Sequence, residues 1–129
     1  MPPLASLARR FGLRLIVQFG STVTGRARSD SDIDVGVLTT RARSGRTFDW
    51  HCRLAAQLES ALAPGRELDL VVLDGADPLL LFLVASHGRP LWAAHAFSWA
   101  EFRSYAGRCY DDTEHFRQKR RRWLEAQFA

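Results

Sequence analysis

The chain has 129 residues, of which 47% are apolar and 25% charged, and a formal net charge of +4. These proportions exclude a disordered polar chain and suit one small domain spanning residues 1–129. Its two cysteines, Cys52 and Cys109, match neither a zinc spacing nor a disulfide framework, so reduced thiols in a cytoplasmic setting are expected.

Residues 3–10 read as a first helix, with Leu4, Leu7 and Ala8 on one side. Leu13 to Phe19 is apolar and rich in β-formers, and predicts a strand. It runs directly into Gly20-Ser21. A glycine lets a phosphate approach the backbone with no Cβ in the way. Ser21 can cap a helix and offer its hydroxyl to the same phosphate. A short helix over 22–27 would turn its free N–H groups and positive dipole end toward that anion. A polar loop, residues 28–31, follows.

Residues 32–38 predict the next strand. Side chains alternate along a strand, so Asp32 and Asp34 share one face, about 7 Å apart. Ile33, Val35 and Val37 take the other face and read as core. Two carboxylates on one face suit Mg²⁺, with substrate phosphates completing its shell. Taken alone, Asp-x-Asp also describes two solvated aspartates at a strand start. Gly-Ser followed ten residues later by Asp-x-Asp arises by chance in roughly one chain in a thousand of this length.

From about Thr47 to Leu62, apolar residues at Phe48, Cys52, Ala55, Leu58 and Leu62 predict a helix that Pro64-Gly65 ends. Residues 67–73 predict a strand. Asp69 shares a face with Val71 and Leu73, and a charge at the end of a buried row is costly unless paired or metal-bound. Glu67, on the same face, is the competing third carboxylate, and Asp74 reads as a turn residue before Gly75. Asp77 can cap a helix that opens with Pro78 and runs to about Ser86, with Gly88 as a C-cap. The longest apolar run, Leu79 to Ala85, is too short to span a membrane, and Met1-Pro2-Pro3-Leu4 does not follow a signal-peptide pattern.

The last segment, residues 98–126, carries Trp99, Phe102, Ala106, Cys109, Phe116 and Trp123 at three-and-four spacing. It predicts a long amphipathic helix. Its aromatic side either completes the core or, around Phe116, Trp123, Leu124 and Phe128, docks a partner protein. The basic run Arg117 to Arg122 is a solvated face or a patch for weak, non-specific, salt-sensitive nucleic-acid binding. No motif for specific nucleic-acid readout accompanies it. The four histidines do not cluster.

Gly20-Ser21 with Asp32 and Asp34, the later strand Asp69 and the chain length resemble the minimal nucleotidyltransferases (MNT) of the DNA polymerase β-like superfamily. The likeness runs over roughly residues 10–125. It includes Asp77-Pro78 opening a helix and His87-Gly88-Arg89-Pro90-Leu91-Trp92, which looks like the family's short final strand. The resemblance implies an α/β fold, a small mixed sheet with flanking helices and a long C-terminal helix. It implies a nucleoside triphosphate such as ATP, two Mg²⁺ ions, and transfer of AMP to an acceptor hydroxyl. Asp32, Asp34 and Asp69 would be the catalytic metal ligands, and Gly20 and Ser21 would hold the triphosphate; Arg26 or Arg28 either neutralises the departing pyrophosphate or is solvated loop charge. Many such proteins are antitoxins that adenylylate a tyrosine of a HEPN-domain ribonuclease toxin.

The helices are expected mainly on one side of the sheet. Two other functions fit the same residues: nucleotidyl transfer to a small hydroxylated molecule, and inhibition of a toxin by binding alone. A single small domain leaves no second domain to hold a small acceptor, which favours a protein acceptor.

Overall fold

A computed structural model describes residues 3–20, 32–40 and 46–128. Ser21, Arg26, Arg28 and the short helix expected over 22–27 lie outside the described residues. The described elements run α1 (Leu4–Phe11), β1 (Leu13–Phe19), β2 (Ile33–Thr39), α2 (Phe48–Leu62), β3 (Leu68–Val72), α3 (Pro78–His87), β4 (Arg89–Ala93) and α4 (Ser98–Phe128). The strands form one mixed sheet in the order β3-β2-β1-β4. β1 is antiparallel to β2 and β4, whereas β2 and β3 are parallel. A parallel pair needs a long crossover, and α2 supplies it.

Helices cover both faces of this sheet, not mainly one. Leu7, Phe11, Trp50, Leu54 and Leu58 from α1 and α2 pack with Ile16, Val35, Val37 and Leu70. Leu81, Val84, Phe102 and Ala106 from α3 and α4 pack on the opposite face with Leu15, Val17, Leu38 and Leu73. The reason lies in β1, where Leu15, Ile16 and Val17 are consecutive and all fully buried. A central strand that is apolar on both faces cannot leave either one to water.

The buried stripe of α2 is Trp50, Leu54 and Leu58, while Phe48 and Cys52, expected inside, are exposed. Both sets have helical spacing, and the one containing Trp50 wins. That ring meets Phe11 edge-on at 6.3 Å and removes the larger apolar area from water. Thr47 caps the helix, its Oγ1 accepting from Trp50 N–H at 3.1 Å. At α3, Pro78 opens the helix as expected. Asp77, however, makes no side-chain cap hydrogen bond, and only its carbonyl accepts, from Leu81 N–H.

Asp74 does more than turn the chain. Its carboxylate accepts from Thr39 N–H at 2.9 Å and from Thr39 Oγ1 at 3.0 Å, and Arg46 stands 3.9 Å away. Thr39 is fully buried, so these bonds satisfy a threonine that would otherwise be costly at the end of β2.

α4 divides into two halves. Phe102 and Ala106 are buried against the sheet and α3. Tyr110 stacks on Phe82 of α3 at 4.1 Å, and the Arg117 guanidinium lies 3.9 Å over the Tyr110 ring. Among the described residues from Asp111 onward, only Thr113 and Arg117 are even partly covered.

Candidate active site

Phe19, the last residue of β1, pairs with Asp34 of β2, and Asp34 pairs in parallel register with Asp69 of β3. Neighbouring strands lie about 4.8 Å apart, so Asp34 and Asp69 project side by side from one end of the sheet. Both share the face of Gly36, Val71 and Leu73, on which α3 and α4 pack. Ile33 N–H donates to the Glu67 carbonyl at 2.9 Å and ties the entries of β2 and β3 together.

The three expected carboxylates differ in setting. Asp34 is half-buried, and Asp32 and Asp69 are exposed. Asp32 precedes β2 rather than forming its first residue. Asp69 was expected at the end of a buried row, yet only Leu73 of that row is fully buried. β3 is an edge strand, and Asp69 near its entry is exposed. Glu67, the competing acid, falls outside β3 and is exposed.

Electrostatics link the trio. Burial, then the charge of Asp69, then that of Asp32, push the Asp34 carboxyl above its ordinary value. The relief this arrangement invites is a cation. Among the described residues no three carboxylate, imidazole or thiol side chains converge as a ready-made metal cage. Like charges without a counter-ion have no reason to converge, and the donor set itself, hard carboxylate oxygens around a half-buried member, suits Mg²⁺.

Gly20 completes what the structure describes of the site. Its backbone is left-handed, with φ +82°, and a Cβ there would collide with Asp34 Oδ2. Glycine is thus required twice at this position, for the backbone angle and for the carboxylate beside it. The sequence suggested only the room for a phosphate. A cavity of about 510 Å³, lined by Arg14, Asp74, Glu101, Tyr105 and Arg108 among others, opens at the other end of the strands. It contains none of the three carboxylates, so the chemistry of the donor set, not cavity size, places the candidate site.

A family model described as polymerase beta, nucleotidyltransferase matches residues 5–95, a span that includes every candidate residue named above. The chain belongs to this family. A chain of a toxin–antitoxin crystal structure with AMP-PNP is 28% identical, with a TM-score of 0.72 over 98% of this chain and 96% of that one. A chain of the tri-AMPylated Shewanella oneidensis HEPN toxin in complex with MNT antitoxin is 26% identical, with a TM-score of 0.63 over 98% and 93%. A structure described as a minimal nucleotidyltransferase is 37% identical over 68% of this chain and 85% of that one, with a TM-score of 0.51. No curated protein matches the sequence. The protein is therefore a nucleotidyltransferase-family domain whose structural neighbours are MNT antitoxin–HEPN toxin complexes. No described helix is long and apolar enough to cross a membrane.

Proposed function

We propose that this chain is a Mg²⁺-dependent adenylyltransferase, a cytoplasmic single-domain antitoxin that moves AMP from ATP to a tyrosine of a partner HEPN ribonuclease and so silences it. The observation that carries the proposal is Asp34. It is half-buried against Gly20 and in register with Asp69, and its carboxyl is pushed up by burial first and then by the charges of Asp69 and Asp32. Such a group is poised for a divalent cation and a phosphate chain.

In this reading Asp32 and Asp34 would hold two Mg²⁺ ions, with Asp69 as a further ligand. The ions supply charge neutralisation for the triphosphate and the departing pyrophosphate. The acceptor oxygen attacks the α-phosphorus while the bond from that phosphorus to the bridging oxygen breaks. Asp69 takes the acceptor's proton. The Gly20 backbone and the Ser21 hydroxyl hold the β- and γ-phosphates, and Arg26 and Arg28 balance the pyrophosphate charge. Positioning and electrostatics suffice for this chemistry, with no covalent enzyme intermediate.

The test is the intact mass of the neighbouring gene's product after incubation with this protein, ATP and Mg²⁺. One or more AMP units should be added, and none when Asp32→Ala replaces the wild type. A stable complex with no added mass would mean inhibition by binding alone. Neither complex nor added mass would turn the search to a small hydroxylated acceptor.

A further inference from the structure

Residues 102, 106, 109, 113, 116, 120 and 123 of α4 alternate spacings of four and three, the repeat of a helix–helix seam. The first four positions, Phe102, Ala106, Cys109 and Thr113, are buried or half-buried. The last three are not. Phe116 is 70% and Trp123 61% exposed, and Arg120 between them is exposed too.

α3 accounts for the covered part. Phe82, Ala85 and Ser86 share a groove with Arg103, Ser104 and Gly107, and Phe82 stacks on Tyr110, so α3 runs antiparallel to α4. Only one further turn of α3 lies beyond Phe82, because the helix starts at Pro78. The seam thus outlasts its partner helix by about two turns. The open half is also held in place at its root. Arg117 lies over Tyr110 and donates to the Tyr110 carbonyl at 3.2 Å and to the Thr113 hydroxyl. An ordered seam costs less entropy to dock than a loose one.

We propose that this exposed half of α4 is a docking seam for an α-helix of a partner protein, which places an acidic side chain opposite Arg120. The identity of that partner rests on the proposed function: it is the helical ribonuclease that receives AMP. Seam spacing calls for a helix, with Phe116 and Trp123 as apolar anchors. The cation in the middle of the seam calls for a carboxylate. A second copy of this chain fits poorly, because Arg120 and the flanking Arg117 and Lys119 would face like charges across the seam. A bilayer fits poorly as well, since Arg120 would sit inside the inserted stripe.

The experiment compares full-length wild type, Trp123→Ala, Arg120→Glu and Asp34→Asn for affinity toward the neighbouring gene's product, at low and moderate salt. Phosphatidylserine-containing vesicles and a single-stranded RNA oligonucleotide are run in parallel. Trp123→Ala and Arg120→Glu should each weaken the protein complex about 30-fold or more. Both should melt at the wild-type temperature, since neither side chain supports the fold. Added salt should weaken the wild-type complex. Asp34→Asn should bind as wild type while losing AMP transfer; a wild-type complex that forms without AMP transfer counts against the proposed function alone. Wild-type affinity in both seam variants would overturn the inference. So would failure of the wild type to bind the protein, or a loss confined to vesicles or RNA.

Discussion

Replacing Asp34 with asparagine is expected to lower nucleotidyl transfer about 10³-fold, roughly 4 kcal/mol of transition-state stabilisation, without weakening the fold. The two effects separate because Asp34 is the half-buried member of a like-charge cluster. Asparagine keeps the shape but removes the charge that holds a metal ion. It also removes the repulsion that Asp69 and Asp32 exert. A carboxyl whose value is raised in the folded state binds its proton more tightly there than in the unfolded chain. Its contribution therefore favours folding at low pH and is lost as pH rises through the raised value. Above that window the wild-type trio is a standing cost, and Asp34→Asn should melt at the same or a higher temperature. Activity assays paired with thermal melts across mildly acid to neutral pH check both halves. A fall in melting temperature alongside activity would show that Asp34 supports the fold instead.

The second large effect is expected from Gly20→Ala. A methyl group there meets Asp34 Oδ2, and the φ of +82° is unfavourable for any residue bearing a Cβ. The backbone conflict alone costs about 1–2 kcal/mol of stability. The collision must also turn the Asp34 carboxylate away from its position. Displacing a reacting group by about 1 Å can cost about 100-fold, so transfer should fall by at least that factor. The loss should appear mainly in turnover, measured at saturating ATP. Near-wild-type turnover would show that Asp34 tolerates a new position and that the contact with Gly20 is incidental.

Local pattern decides some of these placements and long-range pairing decides the rest. Strand alternation at residues 33–38 separates Val35 and Val37 from Asp34, and that division holds. The placement of Asp34 beside Asp69 is not written in either strand. It follows from parallel pairing of β2 with β3, which only the crossover through α2 brings about. The covering of both sheet faces could have been read from the unbroken run Leu15-Ile16-Val17. The stripe of α2 was ambiguous, because two sets of apolar residues share helical spacing and only the Phe11–Trp50 contact decides between them. Asp74 was unreadable as an anchor, since its partner Thr39 is 35 positions away in the chain. The seven-residue seam of α4 is regular in sequence, but its division after Thr113 depends on where α3 happens to start.

The measurement closest to the central claim is a Mn²⁺ titration followed by electron paramagnetic resonance, with a non-hydrolysable ATP analogue present. Wild type should bind two ions per chain, and Asp34→Asn and Asp69→Asn should each lose occupancy or affinity by at least about tenfold. Unchanged stoichiometry and affinity in both variants would contradict the account, because the paired strand carboxylates would then not be the metal ligands.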